Sequence, residues 1–259
     1  MAAAADTNPC LRPAGWMLAA AIIFLVYAPY VTWGGIIIDD WAVVYHVADS
    51  PHPPSLWQSY RSWFPLFSNR PLAPIALALT SHLFGGCPRG FILINLCFWF
   101  SALLLFIAAV RPYHGPAFGW LFLLLAAFPP ISSTVIFSPA MQMLGTISVF
   151  LWALSFWLLL RGVVRDRWSC VPYLLLLAAL LTYEITLPLL PLTLLYPLAL
   201  RLPRRFSTYL VRYVLPVALL LLAVLILQKW IMPQFMAVDS RLRLPSLRTA
   251  CFLGLLRLR

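Results

Sequence analysis

Long apolar stretches separated by short arginine clusters restrict the fold of this chain more than any other feature. A helix of about 20 apolar residues spans the roughly 30 Å hydrocarbon core of a bilayer. Stretches of this kind occupy residues 14–38, 90–110, 116–135, 140–160, 170–200 and 213–231. We therefore predict an all-α polytopic membrane protein with six or seven transmembrane helices.

The composition excludes a soluble or a disordered chain. Hydrophobic residues make up 63% and charged residues 10% of the 259 positions, whereas soluble domains have about 45–50% apolar and about 25% charged residues. Disordered chains are polar and rich in charge. The formal net charge is +11, but the arginines cluster between apolar stretches, as in cytoplasmic loops of membrane proteins. We therefore expect membrane lipid as a partner, and no nucleic acid.

The segment 39–89 is predicted to be a long loop on one membrane face, because aspartate, histidine, proline and aromatic residues are frequent in it. Its residues 71–86 are apolar, but a helix of that length is about 24 Å long and too short to cross the core. We predict an interfacial helix there. Trp57 and Trp63 are expected in the headgroup zone, which amphipathic aromatic side chains favour.

The arginine distribution predicts the orientation. With a cytoplasmic N-terminus and an interfacial 71–86, most arginines of the short loops lie on the cytoplasmic side, as the positive-inside rule requires. The stretch 170–200 must then form a hairpin of two short helices. Its length alone favours one tilted helix of about 46 Å, so both alternatives stay open, with the arginine count on the side of the hairpin.

Two acidic positions directly follow the first apolar stretch. Asp39 and Asp40 would be costly next to lipid and need a reason to be there. They are predicted to supply a general base or a metal ligand, and the alternative is a charged stop to the helix. His46 and Asp49, three residues apart, would share a helix face and are weaker candidates for holding a divalent cation. No cofactor is required by the sequence.

Arg70 precedes Pro71, which restricts its backbone to extended conformations. A guanidinium presented in this way can bind a phosphate through two hydrogen bonds. The alternative is an arginine that extends to lipid headgroups. We include its neighbours Arg61 and Asn69 among the predicted substrate-binding residues.

Thr182-Tyr183-Glu184 interrupts the apolar stretch 170–200. An ionisable residue in such a stretch is a functional candidate, and the prolines that follow indicate broken helices next to a cavity. The alternative is a glutamate at the tip of a hairpin, in water. Tyr183 and Glu184 complete the predicted substrate-binding set.

The order of these features resembles the GT-C superfamily of membrane glycosyltransferases, in its branch of protein O-mannosyltransferases and aminoarabinose transferases. That branch has an acidic pair early in an outer loop, then a basic residue and a proline before an interfacial helix that ends in Phe-Gly. A span that ends in arginine and one that ends in prolines follow. A polar motif lies at the tip of a broken helix pair. The matching positions are Asp39-Asp40, Arg70-Pro71, Leu83-Phe84-Gly85, Arg111, Pro129-Pro130 and Thr182-Tyr183-Glu184.

The resemblance implies a hexosyltransferase of the bacterial inner membrane that moves a sugar from a polyprenyl-phosphate carrier to a glycan, lipid or protein acceptor at the outer face. It implies that Asp39 is the general base or neighbours a metal, and that Arg70 contacts the carrier phosphate. It also favours the hairpin for 170–200. Residues 1–232 would form the transmembrane domain, and 233–259 a basic tail. Family members are about twice as long, which predicts that this chain is an N-terminal fragment.

Two other function classes remain open from the sequence. A transporter or flippase would place polar residues near the bilayer midplane, often in inverted repeats, whereas here they concentrate in one loop. A non-catalytic fragment that binds lipid or a partner subunit is the other alternative.

Overall fold

The structure is a computed structural model that describes residues 55–65, 67, 69–85, 87–127, 139–203 and 205–231, together with Ala21 and Leu25. The regular elements within these ranges are all helices, which confirms the all-α part of the predicted fold class for them. Three of these helical stretches are long and apolar enough to cross a membrane: Arg89–Gly115, Gln142–Arg165 and Phe206–Trp230. The predicted stretch 14–38 and the tail 233–259 lie outside the described residues, apart from Ala21 and Leu25.

The predicted loop 39–89 contains two helices. Helix α1 (Leu56–Trp63) begins at a capping box, in which Ser55 and Gln58 each bind the backbone N–H of the other. Helix α2 (Ala73–Phe84) confirms the helix expected within 71–86. Its exposed face carries Ile75, Leu79 and Leu83, three apolar residues spaced four apart. Such an unpaired apolar ridge suits contact with lipid.

Trp63 does not lie in a headgroup zone, contrary to the expectation. It is 2% exposed and belongs to a core cluster that includes Leu77 of α2, Phe91 and Met143. The tryptophan therefore joins the 55–85 segment to the helical bundle. Trp57, on the other face of α1, is exposed, so of these two tryptophans it is the one that can meet a headgroup region.

Helix α3 (Pro88–Ala127) turns back on itself at Gly115. The backbone φ of Gly115 is 77°, a conformation that favours glycine. As a result the rings of Phe106 and Phe122 come within 4.7 Å of each other, although sixteen helical residues would separate them by about 24 Å in a straight helix. The predicted break between the stretches 90–110 and 116–135 is thus a tight reversal.

The stretch 170–200 is a hairpin, and the alternative of one tilted helix is wrong. It consists of α5 (Val171–Thr182), a 3-10 segment (Glu184–Leu189) and α6 (Leu190–Ala199). Both helices pack along α4 (Pro139–Arg165) but in opposite directions. Along α4, Ser148 donates to the carbonyl oxygen of Ala179 and Ser155 donates to that of Pro172, so α5 runs antiparallel to α4. Trp152 donates to Thr193 and Phe156 packs on Tyr196, so α6 runs parallel to α4.

Prolines fit the irregular start of the second half of this hairpin. Pro188 lies inside the 3-10 segment and has no N–H to donate to the preceding turn. Pro191 lies in the first turn of α6, where a missing N–H breaks no helical hydrogen bond, and Pro197 lies within α6. The chain reverses at Tyr183, whose backbone is extended (φ −160°, ψ 133°). The carbonyl oxygens of Ala179 and Tyr183, near this reversal, accept hydrogen bonds from Ser148 at 2.8 and 2.9 Å.

The last described helix, α7, runs through the consecutive segments Phe206–Tyr209, Leu210–Val214, Leu215–Ile226 and Leu227–Ile231, of which the second and fourth are π-helical. Pro216 cannot donate to the carbonyl of Arg212, and Tyr173 of α5 donates to that oxygen instead, at 2.5 Å. One face of α7 is buried on the bundle, and the opposite face exposes leucines along its length.

Candidate functional site at the tip of the hairpin

Two segments that are far apart in the sequence meet at one end of the bundle. The turn of residues 69–72, which leads into α2, packs against residues 181–184 at the reversal of the hairpin. We call this the tip end. The backbone N–H of Leu72 donates to the carbonyl oxygen of Leu181 at 3.3 Å, so the turn caps the end of α5. The end of α7 also lies here, because Gln228 donates to the carbonyl oxygen of Asn69 at 3.1 Å.

Arg70 and Glu184 form a bidentate ion pair at the centre of this contact. Arg70 Nε donates to Glu184 Oε2 at 2.6 Å, and Arg70 Nη2 donates to Oε1. The guanidinium carbon lies 4.1 Å from the centroid of the Tyr183 ring, in cation–π geometry. Arg70 Nη1 takes part in neither of the two bonds. The arginine is thus fixed by a carboxylate on one edge and by a ring on one face.

Local backbone structure explains how these side chains are presented. The backbone N–H of Arg70 donates to the carbonyl oxygen of Phe67 at 2.7 Å. The carbonyl oxygen of Arg70 accepts from the N–H of Ala73 at 2.9 Å, which makes a compact turn around Pro71. Glu184 is the first residue after the extended Tyr183, so its side chain projects from the point of reversal. Sequence reasoning selected both motifs but did not predict their contact.

The electrostatics of the pair follow from its geometry. The Arg70 side chain is 18% exposed, and that of Glu184 is 39% exposed. The hydrogen bond from Arg70 lowers the pKa of the Glu184 carboxyl below its ordinary value, and partial burial opposes this only in part. Glu184 is therefore ionised at neutral pH, and the pair carries one positive and one negative charge in a partly desolvated place.

The other predicted site residues are distributed differently. Asn69 lies at the tip end, where its backbone carbonyl rather than its side chain makes the contact with Gln228. Arg61 lies on the exposed side of α1. Its guanidinium carbon is 5.1 Å from the centroid of the Trp57 ring, and this contact lies within α1 rather than at the Arg70 site. Asp39, Asp40, His46 and Asp49 lie outside the described residues.

Within the described ranges, no group of three or more histidine, cysteine, aspartate or glutamate residues is placed to hold a metal ion. The predicted metal ligands His46 and Asp49 fall outside those ranges. The tip end itself offers one carboxylate, and that carboxylate is already bound by Arg70.

Sequence reasoning missed the residues that position this site. Ser148, fully buried, holds the tip through the carbonyl oxygens of Ala179 and Tyr183. Thr146, two residues before Ser148 on α4, donates to Asn95 of α3 at 2.6 Å. Ser148, Trp152 and Ser155 recur every three to four residues, which places them on one face of α4. This spacing of polar groups within an apolar stretch was a readable signal.

Comparison of the chain with protein-family models, with curated proteins and with solved structures gives no match.

Proposed function

We propose that the chain is a multi-pass protein of the bacterial inner membrane, with six or seven spans and with its tip end at the outer face. There it transfers a sugar from a polyprenyl-phosphate carrier to a glycan, lipid or protein acceptor. The resemblance of the motif order suggests this reaction, and the geometry of Arg70 supports it.

The observation that carries the proposal is the docking of the Arg70 turn onto the hairpin tip. A phosphate-binding arginine must be held in place, because an unrestrained side chain loses entropy when it binds. Glu184 and Tyr183 hold Arg70 from one edge and one face. A carrier phosphate would bind on the Nη1 side, where a guanidinium neutralises charge that develops on a leaving group.

The reaction would be a displacement at the anomeric carbon. The acceptor hydroxyl oxygen attacks this carbon, the bond from the carbon to the phosphate oxygen breaks, and the phosphate leaves with the electron pair. Asp39 would take the proton of the acceptor hydroxyl, with Asp40 as its neighbour. Arg70 would stabilise the leaving phosphate. A divalent cation near Asp39 remains an alternative to purely protein-based charge stabilisation.

The buried polar groups of the spans favour this proposal over a transporter. Asn95, Thr146 and Ser148 make hydrogen bonds within the bundle, as packing residues do, whereas a transport path needs polar groups that face a cavity. The unpaired apolar faces of α2 and α7 fit either a lipid-linked substrate or a role in lipid binding without catalysis.

The test is sugar transfer by the purified chain in liposomes, with radiolabelled polyprenyl-phosphate hexose as donor and a cell-envelope extract as acceptor. We expect Asp39→Asn to lower turnover by about 10²–10⁴-fold, the usual contribution of a general base. Asp166→Asn, at the opposite end of the bundle, should leave turnover unchanged. Absence of transfer by the wild-type chain would overturn the proposal, and movement of the donor across the bilayer without transfer would favour a transporter.

A further inference from the structure

The end of the bundle opposite Arg70 contains a cavity lined by unpaired arginines. We call this the basic end. Helix α4 ends at Arg165, and α5 begins at Val171. The cavity beside this connection has a volume of about 310 Å³, and the residues that line it include Arg161, Arg165 and Arg167. A volume of this size accommodates a small charged group together with part of an apolar chain.

The connection that forms the cavity has a defined backbone. The chain leaves α4 through Asp166, whose φ of 50° is left-handed, and Arg167 N–H then donates to the carbonyl of Gly162 at 2.9 Å. A Cβ on Gly162 would lie 2.8 Å from the carbonyl oxygen of Arg167. Tyr213 of α7 donates to the same oxygen at 3.4 Å. Glycine is therefore needed at 162 for this close approach, and the backbone that carries Arg167 is fixed before any ligand binds.

The charge of the cavity is uncompensated. In the part of the chain that the structure describes, the acidic residue of this end is Asp166, and its carboxylate pairs with Arg212 at 3.3 Å. The guanidinium of Arg161 lies 3.8 Å from the Trp157 ring centroid, and none of the described carboxylates pairs with Arg161, Arg165 or Arg167. Three arginine residues without a carboxylate partner thus line one space, and this local excess of positive charge favours an anion.

The wall of the cavity continues as an apolar surface. Val171 lines the cavity and is 49% exposed, and Leu174, one turn further along α5, is 61% exposed. This surface points along the helix toward the membrane interior in the proposed topology. Trp168, beside the cavity, is also exposed, as is usual for tryptophan at the headgroup level. An occupant with an anionic head and an apolar tail fits both parts.

We propose that this cavity binds the phosphate of an anionic phospholipid through Arg161, Arg165 and Arg167, with an acyl chain along Val171 and Leu174. In the proposed orientation the basic end is cytoplasmic, where anionic lipids attract basic pockets between transmembrane helices. The site is separate from Arg70 and Glu184, and it does not depend on the proposed transfer reaction.

The experiment is lipid titration of the delipidated full chain in a zwitterionic detergent, followed by native mass spectrometry. The probes are phosphatidylglycerol, phosphatidylcholine of the same acyl chains, and inorganic phosphate. We expect the wild type to bind phosphatidylglycerol at least about 10-fold more tightly than phosphatidylcholine. The double variant Arg165→Gln/Arg167→Gln should bind phosphatidylglycerol about 30-fold more weakly than the wild type, from the usual contribution of two basic residues near anionic lipid.

The matched control is the double variant Arg201→Gln/Arg205→Gln, which removes the same charge from the same end but from residues outside the lining of this cavity. It should keep the wild-type affinity within about threefold, since distant surface charges act weakly. An equal loss of phosphatidylglycerol affinity in both double variants would show diffuse electrostatic attraction and would overturn the proposed binding site. Displacement of the lipid by inorganic phosphate at equal concentration would assign the cavity to a soluble anion and would overturn the proposed lipid occupant.

A second measurement needs no substitution. Raising the salt concentration should reduce the preference of the wild type for phosphatidylglycerol over phosphatidylcholine, because salt screens partly exposed charges. Binding of both lipids that is equal at low salt would contradict the proposal even if the arginine variants failed to fold.

Discussion

Arg70 and Glu184 are 114 positions apart in the sequence and form a bidentate ion pair between the turn before α2 and the tip of the hairpin. The pair, the Tyr183 ring and the bond from Leu72 to Leu181 join the 55–85 segment to the hairpin. The position of Arg70 therefore depends on a residue that no local sequence pattern connects to it.

The ion pair should contribute measurable coupling to stability. Exposed pairs are worth little, but bidentate geometry and partial burial raise the value. We expect a double-mutant cycle with Arg70→Ala and Glu184→Gln to give about 1 kcal/mol of coupling energy in thermal unfolding of the chain in detergent. The more exposed pair of Arg212 and Asp166, cycled with Arg212→Ala and Asp166→Asn, should give less than about 0.5 kcal/mol. Equal coupling in the two cycles would argue against a special role for the tip pair.

The same pair should give the chain a sensitivity to acid. Because the folded-state pKa of Glu184 lies below the ordinary value of a glutamate carboxyl, the carboxylate contributes stability that is fully present above the unfolded pKa. That contribution is lost as pH falls from about 4.5 through the folded pKa. We expect the difference in Tm between wild type and Glu184→Gln to be constant from pH 7 to about 5 and to shrink below that. A difference that is independent of pH down to 3 would contradict the assignment.

Ser148 should be needed for the reversal of the hairpin. Ser148→Ala removes the hydrogen bonds from a buried hydroxyl to the carbonyl oxygens of Ala179 and Tyr183. Each carbonyl keeps a second donor, the N–H of Tyr183 and the hydroxyl of Thr186. We therefore expect a loss of about 0.5–1.5 kcal/mol in unfolding free energy, the usual net value of a hydrogen bond. Ser62→Ala, on the exposed face of α1, should change stability by less than about 0.5 kcal/mol. Similar small losses in both variants would mean that the serine does not hold the tip.

The two ends of the bundle should face opposite sides of the membrane. Ser55, Ser169 and Ser207 are all exposed, so single cysteines there, in a chain lacking its five native cysteines, would be accessible to a maleimide. An impermeant reagent added to intact cells should label only position 55, and all three positions should react after the cells are opened. Labelling of 169 or 207 in intact cells would reverse or break the proposed orientation.

Particular residues show what the sequence could predict. The apolar stretches and the length of 71–86 predicted helices, because these follow from local composition and length. The hairpin over 170–200 was favoured only by arginine distribution and by resemblance, since its length alone favours one tilted helix. Its real cause is the tertiary contact of Ser148 and Trp152 with opposite arms, which no local pattern contains.

The candidate site divides in the same way. Arg70 and Glu184 stood out singly, as a stiffly presented cation and as a charge in an apolar stretch. Their pairing joins residues 114 positions apart. Trp63 is buried by residues of other helices, Leu77, Phe91 and Met143, whereas its amphipathic composition alone suggested the headgroup zone. Three arginines around a cavity at 161–167 were visible in the sequence only as a cytoplasmic cluster.

The most direct test of the account is binding of a polyprenyl-phosphate hexose to the full chain in detergent. Wild type should bind it, and Arg70→Lys should bind it more weakly because lysine lacks the two-pronged geometry. Arg70→Ala should be weaker by about a further 1 kcal/mol, the order of a charged hydrogen bond, while Arg201→Ala, an exposed position outside both proposed sites, should match wild type. If wild type and Arg70→Ala bind the carrier equally well, Arg70 is not its phosphate contact and the proposed site at the tip end is wrong.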